Sequence, residues 1–293
     1  MTEQRKGEIL IFTEGLIWAF FPVITILSYA KLPSLASLAW SNVFAALFFL
    51  GLVAYRNTWR DLKNPLVWKY VAGIVIIIGV LFYGLYFAGL EHTTAGNSSI
   101  IGQFEIFTSF FFFHILRKDS ISREHILGSL LMVIGAIVVL SPNFSTPNIG
   151  DMLILLATLV PPFGNLLQQK ARQVASSETI LFLRSALSAP LIFILAYFMH
   201  QTAPLGDVRS SLLFLIINGA LIFGLSKFMW LEAIHRIPVT KALALNSITP
   251  LFTLLIAWPL LSQTPTPWQF VSLVPMVLGI FLLTDQLKFR KNA

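Results

Sequence analysis

Residues 124–141 read EHILGSLLMVIGAIVVLS, and residues 267–287 read PWQFVSLVPMVLGIFLLTDQL. Each run is apolar, longer than a strand and free of period-two alternation, the pattern of a helix of ~20 residues that crosses a bilayer. The first contains Met132-Val133-Ile134-Gly135 and the second Met276-Val277-Leu278-Gly279. The two matches lie 144 residues apart, about half of the 293-residue chain. The preceding stretches pair at the same distance, Asn97 to Phe112 opposite Lys241 to Ile256, each followed by a short polar turn.

Working outward, ten stretches have the same character: Gly7–Ala30, Ser34–Tyr55, Leu66–Leu90, Thr93–Leu116, Glu124–Ser141, Gly150–Gln169, Glu178–His200, Ser210–Ile234, Val239–Ser262 and Pro267–Leu287. Totals agree. Hydrophobic residues make up 56% and charged residues 11%, against about 25% charged in soluble chains. The mean hydropathy is +0.80. Lipid must therefore be the solvent for much of the surface. The expected fold is an all-α integral membrane protein of ten transmembrane helices. The first run follows Arg5 and Lys6 but extends from Ile9 to Ala30, too long for a signal-peptide core, and reads as the first span.

Five spans per half, an odd number, bring the second copy in from the opposite face. The expectation is two inverted repeats, residues 1–145 and 146–293, an arrangement common in transporters. Orientation follows from the basic residues. If both termini and every second loop share one side, that side holds all 20 Lys and Arg except Lys31, Arg209 and the intrahelical Arg184 and Lys227. The positive-inside rule places both termini in the cytoplasm. Trp59, Trp68 and Tyr70 near that face, with Trp258 and Trp268 near the other, fit interfacial belts. The net charge of +7 is thus spent on topology, and nucleic acid is not expected as a partner. With no cysteine, disulfides and thiolate chemistry are excluded.

Three features stand together: Gly15-Leu16-Ile17-Trp18-Ala19, Ala244 to Pro250, and the two Met-Val-x-Gly helices. On these the chain resembles the EamA-type ten-helix exporters of the drug/metabolite transporter superfamily. Members often carry a proline in the fourth and ninth helices followed by a Gly-Glu pair. Here Pro250 fits, the fourth helix has Glu105-Ile106, and the pairs are replaced by Lys118-Asp119 and Ser262-Gln263. The resemblance implies a secondary transporter of a bacterial inner (plasma) membrane that exports a small metabolite, an amino acid or an amphipathic drug-like solute. Alternating access through a central cavity would be the mechanism. An importer or exchanger of a nucleotide-like or cofactor metabolite is the alternative. An integral membrane enzyme or a scaffold is a remote one.

A charge inside a bilayer is a functional candidate by default. Glu105 and Lys227 lie deepest, Glu105 as a substrate-amine or coupling site and Lys227 as a partner for a substrate carboxylate. Glu14, one to two turns into the first helix, is a second coupling candidate. Arg184, at similar depth in the seventh, reads as a side chain that snorkels to the surface. Trp18, Tyr83, Gln103, Asn165 and Asn246 complete the candidate substrate-binding set, with Tyr86, Asn97, Ser98, Gln168 and Ser247 as further polar positions. Pro22, Pro161, Pro162 and Pro250 fall within spans, where proline kinks a helix, and are gating candidates.

Hydrolase, metalloprotease and P-loop signatures are absent and the five histidines are scattered. No catalysis, metal or cofactor is expected, and transport would draw on a gradient. The expected partners are a small solute and the lipid bilayer, in a monomer or homodimer.

Overall fold

The computed structural model describes residues 2–117, 122–140, 148–284 and 286–287. Among them there is no strand. Eight helices are long and apolar enough to cross a membrane: α1 (Glu3–Ser28), α2 (Ser34–Arg56), α3 (Pro65–Leu90), α5 (Arg123–Leu140), α6 (Ile149–Arg172), α7 (Ser177–Phe198), α8 (Leu212–Arg236) and α9 (Lys241–Leu261). The expected fourth stretch, α4, runs as Ala95–Gly102 and Phe104–Arg117 with a break at Gln103. The expected tenth, α10, is the shorter apolar helix Pro267–Leu283. Ser141, Lys118-Asp119, the junction at 145–146 and the C-terminal Lys288, Arg290 and Lys291 lie outside the described residues.

Local chemistry sets the ends. The Thr2, Asn64, Thr94 and Asn148 side chains accept from backbone N–H groups that would otherwise be orphaned at the starts of α1, α3, α4 and α6. Thr266 and Gln269 form a reciprocal capping box on α10. Left-handed Asn57 and Ser262 stop α2 and α9.

Packing is symmetric under exchange of the two halves of the chain. Helix α2 packs along α7, α5 along α10, and α4 against α9. The α1 contact with α8 is matched by the α3 contact with α6. The residues of the repeated motif meet at the α5–α10 seam. A methyl group built on Gly279 would lie 2.8 Å from the Gly128 carbonyl oxygen and 3.0 Å from Met132 Cγ. One built on Gly135 would strike Met276 Cγ and come within 3.0 Å of the Ser272 carbonyl oxygen. Small residues let the backbones approach, as helices in lipid commonly require. Outward of this seam, Leu130, Ile134, Ile137, Val271, Val274 and Leu278 are exposed apolar side chains, as befits a surface solvated by lipid.

Four helices are interrupted at mid-length: α1 at Ala19–Phe20, α4 at Gln103, α6 at Thr158–Val160 and α9 at the 3-10 turn Asn246–Ile248. The prolines do not bend continuous helices, as the sequence suggested. Pro22, Pro161, Pro162 and Pro250 each occupy one of the first two positions of a fresh helical segment, where a missing N–H costs nothing. Pro190, Pro259 and Pro275 do lie inside helices. Helices α3 and α8 each widen into a π-helical stretch, Val75–Phe82 and Ile217–Ser226.

Candidate functional site

The four breaks converge on a cavity of about 100 Å³, room for several waters or one small solute. Its wall takes Trp18 and Pro22 from α1, and Tyr83 and Tyr86 from α3. Ser99, Gln103 and Glu105 come from α4, and Thr158, Pro161, Asn165 and Gln168 from α6. Arg184 of α7, Lys227 and Trp230 of α8, and Asn246 and Thr249 of α9 close it. The π-helical stretches end immediately before Tyr83 and Lys227, residues 144 positions apart. A π-turn shifts the register of the side chains that follow it, and such turns are frequent at functional sites.

Glu105 and Lys227 share this cavity but do not pair. Lys227 Nζ donates to Glu14 Oε1 at 2.8 Å and lies 3.2 Å from the centroid of the Trp18 ring. Ser226 Oγ also donates to Glu14 Oε1, at 3.0 Å, and Asn246 Nδ2 donates to Oε2 at 2.9 Å. Glu14 is fully buried. It ties α1 to α8 and α9. Trp18 in turn stacks on Phe21, with centroids 4.2 Å apart, and Phe21 packs on Tyr83, Tyr86, Phe87 and Phe223. The ammonium is thus held by one carboxylate and by the Trp18 face, with the Trp230 ring centroid 5.7 Å away; a cation–π contact is worth about 2 kcal/mol when desolvated.

Glu105 is held differently. Asn165 Nδ2 donates to its Oε1 at 3.2 Å, and Gln168 Nε2 donates to Asn165 Oδ1 at 3.3 Å. No cation contacts it among the described residues.

Arg184 departs from expectation. It is 1% exposed and does not reach the surface, because α7 is enclosed where it packs along α2 and the π-helical part of α3. A methyl on Gly79 would strike Ser188, one turn along α7 from Arg184, and would meet Arg184 Cγ only at ordinary contact distance, 3.9 Å, so the glycine makes room for Ser188. The guanidinium carbon lies 5.8 Å from the Tyr83 ring centroid.

All seven residues expected to bind substrate, Trp18, Tyr83, Gln103, Glu105, Asn165, Lys227 and Asn246, line this one cavity. Pro22 and Pro161 line it too, while Pro162 and Pro250 are buried behind it. Asn97 lies elsewhere, donating to the Asp151 carboxylate and accepting from Gln269 Nε2 at 2.8 Å. Arg184, Thr158, Ser99, Trp230 and Thr249 were not singled out as site residues. Only Arg184 carried a usable signal, a charge at membrane depth.

The profile of the EamA-like transporter family matches residues 5–141 and again residues 148–285. The chain belongs to the EamA-like transporter family. Among curated relatives, this EamA protein is 22% identical to an uncharacterized transporter of Synechocystis sp., over 77% of this chain and 68% of the relative. It is 20% identical to one of Bacillus subtilis, over 87% and 86%. An archaeal one, from Archaeoglobus fulgidus, is 22% identical over 96% and 98%. A crystal structure matches the fold with a TM-score of 0.72 at 17% identity, covering 97% of this chain and 98% of its own. The EamA protein is therefore a multi-pass membrane transporter.

Proposed function

We propose that this EamA protein is a secondary transporter that exports a small metabolite, an amino acid or an amphipathic drug-like solute, from the cytoplasm across a bacterial inner membrane. It does so as ten spans in two inverted halves, residues 1–145 and 146–293, with both termini cytoplasmic. The observation that carries the reading is the cavity itself. It joins Glu105 to an aromatic wall at the breaks of four helices, in a chain whose family repeat occurs twice. The packing symmetry between the halves supports the inverted arrangement. Broken helices let short segments move around a fixed site, which is what alternating access needs.

In this reading Trp18, Tyr83, Gln103, Asn165 and Asn246 contact the solute, and Glu105 receives its cationic group or a coupling proton. Lys227 and Glu14 act as a unit that links the solute site to the position of α1. The breaks opened by Pro22, Pro161, Pro162 and Pro250 are the flexing points.

The test is counterflow. Proteoliposomes preloaded with an unlabelled amino acid should accumulate the same labelled solute, and Glu105→Gln should abolish that accumulation. The amide still accepts the Asn165 bond, so the variant should melt within a few degrees of the parent. Counterflow of nucleotide-like or cofactor solutes alone would instead make the protein an exchanger of that class. No counterflow with any small solute would overturn the transport reading.

A further inference from the structure

We infer that Arg184, not Lys227, is the anion-binding group of the cavity, and that the solute carries a carboxylate which it clamps. The inference rests on the transport reading and names the chemistry of its cargo. Three cationic or anionic side chains of the wall differ in what they hold. Lys227 is already engaged by Glu14 and by the Trp18 face. Glu105 holds only a neutral amide. Arg184 holds nothing polar among the described residues: its Nε and Nη2 are buried and make no hydrogen bond, and it forms no ion pair.

A buried guanidinium without a counter-ion in the protein is strongly destabilising. Structural arginines in such places are normally paired. Here the stem passes Gly79 at ordinary contact distance, and the guanidinium carbon lies 5.8 Å from the centroid of the Tyr83 ring. It borders the same cavity as Glu105 without contacting it. The wall therefore offers one unpaired cation and one carboxylate without a cation. The guanidinium fork matches a planar carboxylate in a two-point contact, which an ammonium cannot copy; with Nε and Nη2 enclosed in this conformation, the side chain turns toward the cavity to make it. A solute with a carboxylate at one end and an amine at the other would complete both groups at once. The aromatic rings of Trp18, Tyr83 and Tyr86 would bracket its apolar part.

The experiment uses matched solute sets in counterflow with the full-length protein: an amino acid, its carboxamide, its methyl ester and the corresponding amine. Inorganic phosphate and a phosphate monoester are added as competitors. The parent should exchange the acid and discriminate against the carboxamide, ester and amine by about 30-fold or more in kcat/KM. Arg184→Gln should raise KM for the acid by a similar factor and narrow the discrimination. Arg184→Lys should fall between, because it keeps charge but not the fork. Lys227→Met should narrow the acid-to-carboxamide ratio less than Arg184→Gln does. The parent panel needs no variant to fold. Equal exchange of acid, carboxamide and amine would overturn the carboxylate site while leaving transport standing. So would strong competition by phosphate over carboxylates, or an unchanged ratio in a folded Arg184→Gln. Failure of the parent to exchange any solute would instead overturn the transport reading beneath it.

Discussion

The residues that matter most here are charges placed where water is scarce, and their partners decide what each can do. Glu14 accepts from Ser226, Lys227 and Asn246, so removing either end of the ion pair leaves the other buried and uncompensated. Such a loss is worth about 3–5 kcal/mol, whereas replacing both ends by neutral groups is often nearly harmless. Glu14→Gln and Lys227→Met should each lower the melting temperature in detergent. The double variant should be markedly more stable than the sum of the two losses. A strictly additive cycle would mean that the pair is not formed in the folded protein. The sequence marked both residues as charges at depth but not as partners, because they lie 213 positions apart and no local pattern encodes such a contact. Arg184 misled for a related reason. Depth along a helix is legible in a sequence, but whether neighbouring helices leave a long side chain a route outward is not.

At the scale of elements, the repeated Met-Val-x-Gly motif is a packing device. Its glycines set the distance between α5 and α10, with the Gly279 and Gly128 backbones in mutual close approach. Gly279→Ala should push the helices apart and cost about 1–3 kcal/mol, an overpacking penalty. Gly51→Ala and Gly84→Ala meet open space, and should be neutral or slightly stabilising. Equal melting temperatures for all three would contradict the seam. Helix existence was readable from apolar runs, since lipid demands ~20 such residues. The interruptions were not. A break at Gln103 or a π-helical stretch at Ile217–Ser226 is fixed by tertiary packing, and composition carries no trace of it. Proline was a partial signal. It located three of the four breaks, though as the start of a new segment and not as a kink.

At the scale of the whole molecule, the proposed topology follows from where the basic residues fall, and the absence of cysteine makes it simple to check. Gln4→Cys at the exposed start of α1 and Ser210→Cys before α8 are both exposed positions. In right-side-out vesicles a membrane-impermeant thiol reagent should label Ser210→Cys and spare Gln4→Cys. The reverse pattern would invert the topology and with it the assigned direction of export. In the proposed account, the symmetry of packing between the halves would give the molecule two nearly equivalent ways to close, one toward each face, around a site that need not move.

The central claim is that one cavity, at the meeting of the broken helices, opens in turn to both sides. Gln103 stands at the α4 break and lines that cavity. The most direct measurement is the modification rate of Gln103→Cys by an impermeant thiol reagent, applied first to right-side-out and then to inside-out vesicles. The account predicts modification from both faces, with each rate lowered by a solute that supports counterflow. Modification from one face only, unchanged by any such solute, would contradict it.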